Sequence, residues 1–198
     1  LVECVPSDKP LIFASTSSVY GKSSLAVCDE YSDTNPVSLY SELKLLAEEV
    51  VMDRPDSVVI RPATLYGASG SMRLDLLPHQ MVKEAMTTGL ITVYEPQRLR
   101  SFLHVRDAVA AVSYLLQIPS RRLHGLRRQD RVVNLADQES HISKGDLASM
   151  IAGMLRSSIE VREGYADPDQ RDYRVTSSSE LAPRLETPVT LPHGLMEV

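Results

Sequence analysis

Short apolar runs alternate along the chain with longer stretches in which apolar residues recur every three to four positions. The short runs predict strands at Pro10–Ala14, Ser57–Ile60, Leu90–Tyr94 and Arg131–Leu135. The longer stretches predict helices at Ser38–Met52, Leu76–Thr88, Val105–Gln117 and Lys144–Arg156, with Ser38 and Ser143 as N-caps. Alternating strands and amphipathic helices predict an α/β fold with a mostly parallel sheet. From about Ile159 onward prolines interrupt the pattern, so we expect an irregular cap with short elements there.

Polar residues follow the first two predicted strands at the point where each one ends. Pro10–Ala14 continues into Ser15-Thr-Ser-Ser18, and Ser57–Ile60 is followed by Arg61-Pro62. The carboxyl ends of parallel strands lie at one edge of the sheet, and ligands bind along that edge in open α/β folds. The sequence therefore predicts a polar site where these two strands end.

Composition narrows the classes of partner. A net charge of −5 gives no reason to expect nucleic acid. No apolar run approaches the roughly 20 residues of a membrane span, and Leu1–Lys9 lacks the order of a signal peptide, so we expect no membrane contact and a cytoplasmic location. Cys4, Cys28 and the scattered histidines lack zinc-site spacing, so no metal is expected.

The segment Tyr40-Ser-Glu-Leu-Lys44 lies on a predicted helix, where a spacing of four residues places the phenol and the ammonium on one face. A lysine ammonium and an oxidised nicotinamide ring both stabilise a nearby phenolate. Such a tyrosine could accept the proton of a sugar hydroxyl while hydride leaves the same carbon. The pair alone is a weak signal, since many surface helices carry one, but its neighbours strengthen it.

Five motifs occur in a fixed order: Ser15-Thr-Ser-Ser-Val-Tyr-Gly21, Tyr40-x-x-x-Lys44, Arg61-Pro-Ala-Thr-Leu-Tyr-Gly67, Arg100-Ser-Phe-Leu-His-Val-Arg-Asp107 and Val133-Asn-Leu135. In this order they resemble the extended short-chain dehydrogenase/reductase family, in particular its NAD-dependent nucleotide-sugar epimerases and dehydratases. The resemblance implies a Rossmann-like, doubly wound sheet. It also implies a nucleotide-diphosphate sugar as substrate, NAD as cofactor with NADP not excluded, and a homodimer formed in part by the Leu39–Val51 helix.

The same resemblance assigns roles by position. Thr16 would bond the reacting sugar oxygen, Tyr40 would be the acid/base, and Lys44 would bind the nicotinamide ribose and favour the phenolate. Cofactor contacts would come from Ser15, Tyr40, Lys44, Pro62, Ala63, Thr64 and Leu65. Substrate contacts would come from Ser17, Ser18, Thr64, Arg100 and Arg171. The two arginines would face the diphosphate, although for Arg171 a solvated place in a charged loop is an equal alternative.

The loop after the first strand favours some reactions over others. Ser17 and Ser18 stand where related 4,6-dehydratases carry Asp-Glu, and Ser18 replaces a Glu that is usual in related decarboxylases. The pattern is closest to 4-epimerases and 4-ketoreductases, and we favour an NAD-dependent 4-epimerase. A catalytically silent module that binds NAD or a nucleotide sugar is the alternative from another class, although Thr16, Tyr40 and Lys44 are all retained.

The resemblance divides the chain at residue 158. Residues 1–158 would be the C-terminal part of the cofactor-binding domain, with substrate-binding segments interleaved at about 68–104, and residues 159–198 would be a substrate-binding cap. The family's glycine-rich turn would precede Leu1, and Gly67 and Gly70 do not replace it. That turn could belong to a longer polypeptide, which we favour, be lost by truncation, or come from a second chain. We expect residues 1–198 alone to bind no dinucleotide and to be inactive.

Overall fold

The computed structural model describes residues 2–6, 9–23, 25, 27–137, 141–164, 169, 171–184 and 188–198. Within them the strands are β1 Leu11–Ala14, β2 Val27–Cys28, β3 Ser57–Pro62, β4 Thr64–Tyr66, β5 Leu90–Val93, β6 Leu99–His104, β7 Val132–Leu135, β8 His141–Ser143, β9 Ser158–Val161 and β10 Arg174–Val175. The helices are α1 Leu39–Met52, α2 Leu77–Thr88, α3 Val105–Leu115, α4 Ser120–Leu123, α5 Lys144–Leu155 and α6 Leu191–Leu195. The predicted strands and helices are thus present, with ends that differ by one or two residues.

The central sheet has the strand order β1-β3-β7, and both pairings are parallel. Val58, Val59 and Val133 are fully buried, as expected for strands covered on both faces. Because the three strands run in the same direction, Ala14, Pro62 and Leu135 end at one edge of the sheet. The predicted α/β class and the mostly parallel sheet are confirmed.

Helix α1 packs against the central sheet through Val51 and Met52 and begins at the predicted cap. The Ser38 hydroxyl accepts a hydrogen bond from the Ser41 amide, and the Ser41 hydroxyl accepts one from the Ser38 amide, which forms a capping box. Glu48 and Val51 are buried on the inner face. The outer face leaves several apolar side chains exposed, namely Leu39, Leu43, Leu46 and Val50.

A second set of strands lies beyond the central sheet. Strand β6 pairs in parallel with β4 and antiparallel with β8, and β5 pairs in parallel with β9. Helices α2 and α5 pack here around a core that contains Met81, Phe102 and Leu147. Of the strands in this set, only β5 was predicted; β4, β6, β8 and β9 were absent from our predictions.

The described residues of the C-terminal region form the short elements β9, β10 and α6, and β9 crosses the proposed boundary at residue 158. Strand β9 pairs with β5, which lies in the interleaved segment 68–104. The division at residue 158 stays a prediction. Across the described residues, no helix combines the length and the apolar character that a membrane crossing needs.

Candidate active site

The loop after β1 is a buried polar turn held by its own hydrogen bonds. The Ser15 amide donates to the Ile60 carbonyl at 2.8 Å, which fixes the loop to β3. The Thr16 hydroxyl accepts from the Ser18 amide at 3.1 Å and caps a 3-10 turn over Ser17–Tyr20. Gly21 ends that turn with φ of 54°, and a Cβ there would lie 1.7 Å from the Asn35 carbonyl oxygen, so the position requires glycine.

Lys44 joins helix α1 to the end of β1. Its Nζ donates to the Ala14 carbonyl oxygen at 2.8 Å and lies 5.0 Å from the centre of the Phe13 ring. The same Nζ is 5.8 Å from the centre of the Tyr40 ring, and the Tyr40 side chain is 56% exposed. The structure therefore places an accessible phenol and an ammonium at the strand end, and Thr16 follows Ala14 by two residues.

A buried network of hydrogen bonds connects Ser15 to residues of the central sheet. The Ser15 hydroxyl donates to the Glu48 carboxylate, and Arg61 forms a two-pronged ion pair with Glu48, with an Nη2–Oε2 distance of 2.6 Å. Arg61 Nη1 also donates to the Tyr20 hydroxyl at 3.1 Å, and that hydroxyl donates to Asn134 Oδ1 at 2.8 Å. Burial raises the pKa of Tyr20 to about 12, against the opposing effect of Arg61, so Tyr20 stays neutral.

The segment Pro62–Leu65, predicted to line the nicotinamide, connects β3 to β4 at the same edge of the sheet. The Ala63 amide donates to the Leu135 carbonyl at 2.8 Å, and the Ala63 side chain packs in the hydrophobic core. Thr64 and Leu65 are half-buried. Ala63 can therefore offer a ligand only its backbone, whereas the Thr64 side chain is accessible.

Three of the predicted substrate-binding residues meet around Asp169. Arg171 forks onto the Asp169 carboxylate, with distances of 2.8 Å from Nε to Oδ1 and 2.6 Å from Nη2 to Oδ2, and its Nη1 donates to the Ser18 hydroxyl at 3.0 Å. Arg100 is buried on β6, with its Nη2 3.4 Å from Asp169 Oδ2, and it donates to the Arg171 carbonyl. Burial opposes the charged form of Asp169, but Arg171 and Arg100 lower its pKa to about 2. Of the other two predicted residues, Ser17 contacts the Tyr173 hydroxyl at 3.3 Å and Thr64 lies on β4.

The arginine pair lines a cavity of about 510 Å³, a size suited to a small-molecule ligand. Its lining combines cations from Arg100, Arg171, Lys144 and Arg162 with apolar surface from the N-terminal part of α2 and from Tyr94. Asp75, Glu84 and Asp169 add negative charge. Such a lining can accept a ligand with an anionic part and a flat apolar part.

Some residues of the site were absent from the predictions. Glu48 follows Lys44 by four residues and Tyr40 by eight, so its place on the same helix face was a signal available in the sequence. The approach of Asp169 to Arg100 gave no comparable signal, because these two residues are 69 positions apart along the chain. Among the described residues, no group of three histidine, cysteine or acidic side chains is arranged to hold a metal ion.

Comparison with known proteins identifies the family of the chain. A family model described as "NAD dependent epimerase/dehydratase family" matches residues 1–136. The chain belongs to this family. A curated relative, the uncharacterized UDP-glucose epimerase YtcB of Bacillus subtilis (strain 168), is 30% identical over 119 residues, which cover 57% of this chain and 37% of that protein.

Several solved structures share the fold, and two of them illustrate the similarity to this chain. One is dTDP-glucose 4,6-dehydratase from Bacillus anthracis str. Ames in complex with NAD, with a TM-score of 0.74, 22% identity, and coverage of 95% of this chain and 60% of that one. The other is UDP-glucuronic acid 4-epimerase from Bacillus cereus in complex with NAD, with a TM-score of 0.72, 22% identity, and coverage of 95% and 59%. The chain therefore spans about three fifths of the length of these structures.

Proposed function

We propose that this chain carries the catalytic and substrate-binding part of an NAD-dependent nucleotide-sugar 4-epimerase. The observation that carries the proposal is the contact of Lys44 with the Ala14 carbonyl, because it holds the ammonium between the Tyr40 ring and the strand end that leads to Thr16. Family membership and the names of the relatives support a nucleotide sugar as substrate. Ser17 and Ser18 supply no acid or base for an elimination, which favours a 4-epimerase or a 4-ketoreductase over a dehydratase. Only the resemblance to the family favours the epimerase over the ketoreductase.

The donor set at the strand end fits a nicotinamide nucleoside. Lys44 Nζ can donate to ribose hydroxyls, and the backbone of Pro62–Leu65 together with Thr64 lies at the same edge of the sheet. When bound, the cofactor would supply the hydride chemistry, that is, the acceptance of a hydride from the sugar and its return to the sugar. This chain's residues would hold the sugar and move the proton.

In the proposed reaction the C4–H bond breaks and its electron pair leaves as hydride. The Tyr40 phenolate takes the proton of the C4 hydroxyl, and Thr16 donates a hydrogen bond to the same oxygen. The 4-keto sugar then turns over in the site. Hydride returns to the opposite face of C4 and the proton returns from Tyr40, so the product is the C4 epimer. Arg100 and Arg171 would bind the diphosphate, since a guanidinium forks onto two phosphate oxygens.

The protein expressed from its complete coding sequence, incubated with NAD⁺ and UDP-glucose, UDP-galactose or UDP-glucuronic acid, tests the proposal by proton NMR. An epimerase converts one of these sugars to its C4 epimer without net reduction of NAD⁺. Net consumption of NAD(P)H with a 4-keto sugar would instead identify a 4-ketoreductase. Binding of cofactor and sugar without any new product would identify a silent binding module.

We also propose a cytoplasmic homodimer that uses the outer face of α1. Leu39, Leu43, Leu46 and Val50 lie on that face at helical spacing and are more than half exposed. An apolar stripe of this kind normally packs against another helix. Sedimentation of the wild-type protein as a dimer, and of a Leu43→Glu variant as a monomer, is the expected result, and a monomeric wild type would contradict it.

A further inference from the structure

Two polar contacts fix the position of helix α1 against the end of β1. Lys44 donates to the Ala14 carbonyl, and Glu48, one turn further along the helix, accepts a hydrogen bond from the Ser15 hydroxyl. Because Tyr40, Lys44 and Glu48 are spaced four residues apart, they lie along one helix face. The position of Glu48 therefore bears directly on where Lys44 and Tyr40 lie relative to Thr16.

The position of Glu48 is itself fixed by residues of the central sheet. Arg61 binds it through Nε and Nη2, and Arg61 and Asn134 are register partners in the β3–β7 pair. Tyr20 joins the two by accepting from Arg61 and donating to Asn134. These four side chains belong to residues that are at most 6% exposed, so little solvent competes for their hydrogen bonds.

We propose that Glu48 is a positioning residue, which acts through Arg61 to set helix α1 and so to place Lys44 and Tyr40 beside Thr16. The inference rests on the proposed function for its catalytic consequence. A buried ion pair is often no more stabilising than two well-packed apolar side chains, because both charges lose their hydration. Stabilisation of the fold alone therefore does not explain the Glu48–Arg61 ion pair. Its hydrogen bonds are directional, and Glu48 also bonds Ser15, the residue beside Thr16.

The double variant Glu48→Met/Arg61→Met separates positioning from stability. It removes both charges together, so neither charge is left buried without its partner. Glu48→Gln alone, in contrast, would leave the Arg61 charge buried and unpaired. We expect the urea midpoint of the double variant to lie above that of Glu48→Gln. We expect kcat to fall by about 10²-fold with little change in KM, because small displacements of catalytic groups cost that much.

Two further readouts report on placement. The affinity for NAD⁺ by calorimetry should fall, while the affinity for UDP should not, since Arg100 and Arg171 are untouched. A crystal structure of the double variant should show the 2.8 Å contact between Lys44 and Ala14 broken.

Two controls remove the same kinds of charge elsewhere. Glu49→Gln changes an exposed carboxylate on the same helix, and Arg131→Met removes another buried arginine, which bonds the Met52, Arg54 and Ser57 carbonyls near the opposite end of β3. Both should keep the wild-type kcat and NAD⁺ affinity, although Arg131→Met should lower the urea midpoint.

A double variant with the wild-type Lys44 contact and NAD⁺ affinity would overturn the positioning role. If the wild type turned over no nucleotide sugar, the proposed function would fail instead. The Lys44–Ala14 distance in the two crystal structures would still decide the positioning role in that case.

Discussion

Replacing Glu30 by alanine should destabilise the fold strongly, because this carboxylate connects three distant segments. Glu30 is 3% exposed. Its Oε1 accepts from the Asn134 amide at 2.8 Å, and its Oε2 accepts from the Ser178 amide at 2.8 Å. The hydroxyls of Ser177 and Ser178 donate to the same two oxygens. Glu30 thus accepts a hydrogen bond from the backbone amide of Asn134 on β7 and connects β7 to the segment that contains Ser177 and Ser178.

The magnitude follows from the groups that lose their acceptor. The Asn134 amide is buried, and leaving such a donor without a partner costs about 1–3 kcal/mol. The Ser178 amide lies nearer to solvent, and losing its bond to a carboxylate adds about 1 kcal/mol. We therefore expect the free energy of unfolding to fall by about 3 kcal/mol. Glu30→Gln should cost less, because one acceptor oxygen remains.

Urea unfolding followed by circular dichroism measures this difference, and Glu49→Ala is a matched control because it truncates an exposed glutamate. The control should stay within about 0.5 kcal/mol of the wild type. A loss below about 1 kcal/mol for Glu30→Ala would mean that water or another group satisfies the backbone amide of Asn134, and it would contradict the proposed role of Glu30.

Two further predictions concern the ligand site and pH. Arg100→Met should weaken UDP binding by about tenfold or more, since a charge-assisted hydrogen bond contributes about 1.5–3 kcal/mol; calorimetry showing unchanged affinity would remove Arg100 from the diphosphate site. Burial lowers the pKa of His104 and of His141 below the ordinary 6.5, so the unfolded chain binds protons that the folded chain does not. Stability should therefore fall as the pH drops from 7 to 5, and His141→Gln should make the urea midpoint less dependent on pH over that range; an unchanged dependence would contradict this.

The sequence predicted the elements whose apolar pattern is regular and missed those stabilised by long-range polar bonds. Arg100 and Ser101 on strand β6 are both buried, whereas a prediction from the pattern of apolar and polar residues assigns polar residues to the surface. Ser101 is buried because its hydroxyl accepts from the Val175 amide, 74 residues away. No local pattern contains that partner, so the strand could not be predicted from its own residues.

The same distinction holds at the candidate site. The strand end at Ala14 and the helix face of Tyr40 and Lys44 follow from local spacing, and the structure brings them together. The arrangement around Asp169 does not follow in this way. It depends on the approach of a segment about 70 residues beyond β6, which the motifs alone do not specify.

Tyr40→Phe removes one oxygen from an exposed ring and leaves the Lys44–Ala14 contact in place, so it isolates the proposed acid/base role of Tyr40. Turnover of a UDP-sugar by NMR and affinity for NAD⁺ and UDP by calorimetry should be measured on the same preparations. We predict a rate lower by at least about 10²-fold with affinities within a few-fold of the wild type, as expected when a general acid/base is lost. A variant that turns over its sugar at the wild-type rate would show that Tyr40 is not the acid/base.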